Sequence, residues 1–196
     1  QADVTVSWTD GTGTKNTNQQ TLEANRVSVI DLGSVPKSAT GLTISATEPV
    51  TAAAKVTNDG DGDQADFALV NASVPMNVSA IAVPDHATAQ VSVTNTSDDD
   101  RTATLTSYNG DGDIVEQSDL TIRAGASTTI ELADINDGDV AAVSLADPDQ
   151  SMVWNIRVSQ KDVSDAKLAG VSIIGATDLK EAREQVWSNQ NMTIVR

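Results

Sequence analysis

No cysteine occurs in this chain. Disulfides, thiolate metal sites and a cysteine nucleophile are excluded with it. Aromatic residues make up only 3%, so any core must be aliphatic, and the aromatic walls of a sugar cleft are scarce. The single histidine, His86, follows Pro84-Asp85 in a turn. A Ser-His-Asp triad would have to use it, and the chain has no nucleophile elbow. No glycine-rich phosphate loop precedes a helical pattern. No segment has the apolar length of a membrane helix, and no signal peptide is visible. Basic residues are outnumbered, 12 Lys and Arg against 28 Asp and Glu, giving a formal net charge of −16. Such a surface repels nucleic acid and anionic lipid. We therefore expect no nucleic-acid partner and no membrane insertion within this stretch. The chain opens on Gln1 rather than Met and reads as a fragment, with any signal or anchor outside it.

What is present is β-pattern. Residues 91–132 read as strand, turn, strand, turn, strand, strand. Residues 102–108 alternate Ala103, Leu105 and Ser107 against Thr102, Thr104, Thr106 and Tyr108, a period of two that sends alternate side chains to opposite sheet faces. Asn109-Gly110-Asp111-Gly112-Asp113 is too rich in turn formers to continue that strand. Arg123-Ala124-Gly125-Ala126 makes a corner into another alternating strand.

A related order occurs 100 residues earlier. Trp8-Thr9-Asp10-Gly11 falls on Tyr108-Asn109-Gly110-Asp111, Leu22 on Ile122, Asn25 on Gly125, and Ile30-Asp31-Leu32 on Ile130-Glu131-Leu132. Lys55-Val56-Thr57 lies close to Arg157-Val158-Ser159, and residues 67–72 resemble 170–175. One plan used twice is expected, with a repeat of about 100 residues. Strands are expected at 4–8, 21–23, 26–32, 41–47, 50–57, 67–74, 78–83 and 89–94, with 67–74 central because it is apolar throughout. Residues 10–20 read as a polar loop. In the second copy, strands are expected at 102–108, 118–122, 127–132, 140–145, 152–159 and 169–174. Residues 178–187 fit either a short helix opened by Asp178 or a strand, and 192–195 are strand-like.

The fold class is all-β: two tandem antiparallel β-sandwich modules, 1–97 and 98–196. Strand 89–94 can belong to either module. The run at 91–132 resembles immunoglobulin-like or fibronectin-like accessory modules of bacterial secreted and cell-surface proteins. Val93, Asn95, Ala103, Leu105, Tyr108, Gly112, Ile122, Ala124, Gly125 and Leu132 carry the resemblance. The whole chain also resembles a family of unknown function among large secreted, membrane-anchored actinobacterial proteins, though the first copy has Asn25 where the corner glycine belongs. The resemblance implies a non-catalytic extracellular or cell-surface module, and its motifs specify fold rather than chemistry.

Candidate sites are few. Asp59, Asp61 and Asp63 in one tract, and Asn109, Asp111 and Asp113 in the other, place oxygen ligands at alternate positions as a Ca²⁺ loop does. Both tracts lack the glycine at position six and the glutamate at position twelve, so the pattern is incomplete. Trp8, Trp154, Trp187, Tyr108 and Phe67 could form a sugar-stacking platform, but the matching places of Trp8 and Tyr108 in the repeat favour packing. Lys55 could enter an isopeptide bond only if buried beside an Asn and an acid. Sequons stand at Asn71, Asn77, Asn95 and Asn191. The expected role is a spacer, scaffold or interaction module with no enzymatic activity and no cofactor, calcium being the one candidate. Its partner would be a cell-envelope polysaccharide or protein. The alternatives are an adhesin module that binds carbohydrate or protein, and a fragment of a secreted hydrolase.

Overall fold

A computed structural model describes residues 1–9, 15–32, 39, 41–58, 66–85, 88–135, 139–159 and 170–179. These residues are nearly all β. The first half contains β1 (Ala2–Thr9), β2 (Lys15–Leu22), β3 (Gly41–Ala46), β4 (Ala53–Asn58) and β5 (Asp66–Asn71). The second contains β6 (Val78–Ala82), β7 (Thr88–Asn95), β8 (Arg101–Tyr108), β9 (Ile114–Ile122), β10 (Ser127–Glu131), β11 (Ala142–Ala146), β12 (Met152–Ser159), β13 (Val171–Gly175) and β14 (Thr177–Asp178), with a single 3₁₀ turn at Leu132–Asp134. Every strand pairing is antiparallel.

The second half is a sandwich. One sheet has the order β14-β6-β11-β8-β9, the other β10-β7-β12-β13. Both send alternate residues into one core: Ile81, Ala103, Leu105, Ile122, Val143 and Leu145 from the first, Val91, Val93, Met152, Trp154 and Ile156 from the second. On β12 the buried positions alternate without exception from Met152 to Val158, the inward half of a two-residue period. Burying each of these large aliphatic side chains is worth about 1.5–3 kcal/mol relative to solvent.

The first half is built differently. A three-stranded sheet, β2-β1-β3, and a two-stranded sheet, β4-β5, are separate. Its buried cluster is Ala2, Val4 and Val6, with Leu22, Ile30, Leu32 and Ile44 packed against it. No residue of β4 or β5 joins that cluster. β5 instead lies beside β13, where the Val171 amide donates to the Asp66 carboxylate at 2.9 Å.

The pairing nevertheless runs in parallel between the halves. In the first, Val4 faces Gln20 on β2, and Trp8 faces Leu42 on β3. In the second, Ala103 faces Leu120 on β9, and Ser107 faces Val143 on β11. Buried Val4 and Val6 thus stand 99 residues before buried Ala103 and Leu105, not 100. That single residue matters, because a slip of one turns a side chain to the other face. Trp8 lies on the face of Val4 and Val6, whereas Tyr108 lies opposite Ala103 and Leu105 and bonds Ser144 Oγ at 3.2 Å. The two aromatics are not matching positions, and a register shift beside Tyr108 in the β8–β9 ladder accompanies the change. The corner does match at 100: Asn25 has φ +59° and Gly125 φ +62°. Asparagine tolerates the left-handed region better than most residues, so the corner survives without glycine.

Other expectations need correction. Residues 15–20, expected within a loop, join residues 21–22, expected as a short strand, in one edge strand. Their polar sequence hides the strand because backbone pairing with β1, not burial, holds it. Residues 26–32 carry no ladder, although Ile30 and Leu32 pack as Ile130 and Leu132 do. Strand β5 is not central: β4 is its sole ladder partner among the described residues, and Phe67 and Leu69 are exposed. β6 and β7 precede residue 97; β6 pairs with β11, and β7, the strand that could belong to either module, pairs with β10 and β12. Residues 180–187 and 192–195 lie outside the described residues. Among those described, no helix is long and apolar enough to cross a membrane.

Candidate functional site

The second glycine–aspartate tract closes the β8–β9 hairpin. The Asn109 side-chain oxygen accepts the amides of Asp111 at 3.1 Å and Asp113 at 2.9 Å. The Asn109 amide donates to the Asp113 carbonyl at 3.0 Å, and Gly112 takes φ +86°, where a side chain would be strained. Asn109 therefore spends its oxygen on its own turn, as Asx residues do, while Asp111 and Asp113 face solvent. Asp59, Asp61 and Asp63 lie outside the described residues, as do His86, Trp187 and Asn191. Among the described residues, no group of three or more His, Cys, Asp or Glu is placed to hold a metal ion.

The other aromatics separate into core and surface. Trp154 is buried and its indole N–H reaches across the sandwich to Ser79 Oγ at 2.7 Å. Phe67 is exposed, with the Lys55 ammonium 4.5 Å from its ring centre. Lys55 is itself exposed, which removes the burial an isopeptide bond requires. The Asn95 sequon is closed because its side chain is fully buried.

Two buried polar residues fasten the loops of the second half: Asn95, noted in the sequence only as a motif residue and sequon, and Asp147, which sequence reasoning did not single out. Asn95 Nδ2 donates to the carbonyls of Asp99, Ile122 and Arg123 at 2.8, 3.0 and 3.2 Å, and its oxygen accepts the Ser97 amide at 2.9 Å. Asp147 accepts the amides of Ser151 and Met152, both at 2.6 Å. Each side chain replaces lost water with several donors or acceptors, which is what makes burial of a polar group tolerable. The Asp147-Pro148 turn was the signal available for the second. Asn95 was visible as a motif residue ending an alternating strand, but its use as a loop anchor was not.

A third polar cluster joins the halves. Thr94 Oγ1 bonds Ser127 Oγ at 2.9 Å, and Ser127 Oγ bonds Thr9 Oγ1 at 3.2 Å. Thr9, Thr94 and Ser127 are all buried. Gly41 fits among them. A Cβ there would lie 2.1 Å from Ser127 Oγ and 2.7 Å from Thr94 Oγ1. The contact thus depends on the absence of a side chain. Asp66 supplies the second tie. Donation from the Val171 amide, then from the Phe67 amide, holds its carboxyl below the ordinary 3.8.

One shallow depression of about 300 Å³ lies on the outer face of the four-stranded sheet, lined by Thr88, Gln90, Glu131, Arg157 and Ser159. Gln90 donates to Glu131 within it. It has hydrogen-bonding groups but neither depth nor a pair of close carboxylates flanking a cleft, the arrangement glycoside hydrolysis uses. Residues 1–133, which span β1 through β10, match a family described as a family of unknown function, DUF5719. The chain belongs to that family. No curated protein and no solved structure matches it. The DUF5719 match takes in the first half, the junction around Gly41 and the Asn95 anchor, and ends within the 3₁₀ turn at Leu132–Asp134.

Proposed function

We propose that this member of DUF5719 is a non-catalytic structural module of a bacterial extracellular or cell-envelope protein, with two immunoglobulin-like units built on one repeated plan and held in fixed orientation as a spacer. The observation that carries this reading is the junction. Buried hydroxyls from β1, β7 and β10 close around Gly41, and Asp66 reaches Val171 on the other side. A spacer must resist bending between its units, and two separated ties restrain a hinge better than one. The reading assigns the chain no reaction and no cofactor.

The test is Gly41→Ala, read by residual dipolar couplings from each half. In the unaltered chain both halves should share one alignment tensor. In the variant the Cβ clash should uncouple the tensors while each half keeps its own amide spectrum. Independent tumbling of the unaltered chain would sink the spacer reading.

A second reading, an interaction module, is favoured by one observation. Phe67 and Leu69 stand side by side on the same exposed face of β5, with Lys55 over the ring. Binding of a cell-envelope polysaccharide or protein that is lost in Phe67→Ser would support it.

A further inference from the structure

The β8–β9 turn holds the chain's one Asn-Gly pair, Asn109-Gly110. The main-chain amides of 109–113 are almost all engaged. Asn109 donates to the Asp113 carbonyl at 3.0 Å, and Gly112 donates to the Asn109 carbonyl at 3.1 Å. Asp111 and Asp113 both donate to Asn109 Oδ1, at 3.1 and 2.9 Å. Among the described residues, only the Gly110 amide of this turn is taken by no protein acceptor. It is also the amide that follows Asn109 directly, the place from which a nitrogen closes a succinimide ring on Cγ of that side chain.

Two further observations agree. The first concerns the glycines. Gly112 takes φ +86°, so the turn itself requires glycine there. Gly110 lies outside the left-handed region, and a Cβ built on it would meet nothing within 4 Å. The fold does not ask for glycine at 110. Ring closure does, because a side chain on the attacking residue obstructs its approach to Cγ. The second concerns Oδ1. Two N–H groups point at it, which fixes that atom as the oxygen of the amide. It is the atom on which negative charge develops when a nitrogen attacks Cγ, and both donors lie at roughly the 2.7–3.1 Å that an oxyanion hole uses. Gly110, Asp111, Gly112 and Asp113 are all exposed, so water and hydroxide reach the turn freely.

We propose that the β8–β9 turn modifies itself, converting Asn109 to aspartate through a succinimide. Solvent hydroxide takes the Gly110 amide proton. The nitrogen bonds Cγ, and the carbonyl electron pair moves onto Oδ1, where the Asp111 and Asp113 amides stabilise it. When that pair returns, the Cγ–Nδ2 bond breaks, and the amide group leaves as ammonia with a proton from water. One water molecule then opens the ring. Attack at Cγ, polarised by the same two amides, gives aspartate. Attack at the main-chain carbonyl carbon gives isoaspartate, which lengthens the backbone by one carbon inside a turn closed by hydrogen bonds. The turn favours aspartate, because a carboxylate keeps both acceptor contacts and takes N–H groups more tightly than an amide does. The product carries one more negative charge at an exposed hairpin tip and leaves the β8–β9 ladder in place. The conversion is independent of the spacer reading.

The experiment incubates the whole chain in mildly alkaline buffer and follows tryptic fragments by chromatography and mass spectrometry. Fragment 102–123 contains no asparagine besides Asn109, so its Asn, Asp and isoaspartate forms can be resolved. Conversion should begin at Asn109 before any other described asparagine, with aspartate the main product. Gly110→Ala should fold and melt as the unaltered chain does and slow the conversion by about tenfold or more. The unaltered chain unfolded in guanidinium chloride should convert about tenfold more slowly, with isoaspartate now the main product. Conversion as fast in the unfolded chain overturns the proposal, because the turn then gives no assistance. An undiminished rate in Gly110→Ala overturns it too, as does isoaspartate as the main product of the folded chain.

Discussion

Two halves of one polypeptide share a pairing scheme and differ in how much of it they complete. Among the described residues between Val78 and Asp178, nine strands enclose a core that runs through both sheets. Among the described residues between Ala2 and Asn71, five strands form two sheets that bury little in common. The difference teaches where sandwich stability resides. It is not in hairpins such as β1–β2 or β4–β5, which form in the less complete half as well. It lies in the strand that connects hairpins across the fold. β7 is that strand in the second half: it pairs on both sides and sends Ala89, Val91 and Val93 into the core.

The sharpest break of this comparison is a matched truncation. Leu145→Ala should lower the unfolding free energy by about 2–5 kcal/mol, because the cavity opens in a closed core. Leu42→Ala should cost about 0.5 kcal/mol or less, as for a surface change. Urea denaturation of both variants checks it, and equal costs would mean the first half is closed after all. Next comes the turn pair. Asp147→Ala strands the amides of Ser151 and Met152 and should cost about 1–3 kcal/mol. Thr47→Ala removes only the exposed bond from the Asp3 amide to its hydroxyl, 2.9 Å long, and should cost well under half as much in the same assay.

The corners give a smaller contrast. Gly125→Ala forces a side chain into the left-handed region and should destabilise by about 1 kcal/mol. Asn25→Gly should shift stability by only a few tenths of a kcal/mol, since asparagine already accepts that conformation. A large loss from Asn25→Gly would assign Asn25 a side-chain role that its backbone angle does not require. The smallest effect concerns pH. The Asp66 carboxyl is depressed when folded, so its contribution is present above the ordinary value of 3.8 and is lost as pH falls through the lower folded-state value. Asp66→Asn should therefore flatten the acid limb of the stability profile slightly, and acid titrations of both proteins followed by circular dichroism would show it.

Alternation made the second half readable. β12 was legible from end to end because every second residue is apolar, and β8 was legible for the same reason. The first half was harder because its strands are not all paid in burial. KNTNQQTL has no apolar face, so nothing in it announces β2, whereas the apolar run at 67–74 suggested a central strand where the protein has an exposed one. Residues 26–32 show the converse: a good strand sequence remains unladdered without a neighbour. The one-residue difference that separates Trp8 from Tyr108 could not be seen by aligning aromatics, since either position fits a strand and only burial tells the faces apart. Asn109, Asp111 and Asp113 were legible as turn formers, but the use of Asn109 by its own loop is a property of geometry.

The joint among Thr9, Thr94 and Ser127 contains no ion. Dissolved salt weakens attraction and repulsion between charges and leaves hydroxyl-to-hydroxyl contacts nearly untouched. In a molecule so strongly anionic this joint should therefore stay the same from dilute buffer to brine, and of the two ties only the Asp66 carboxylate should feel the ionic atmosphere.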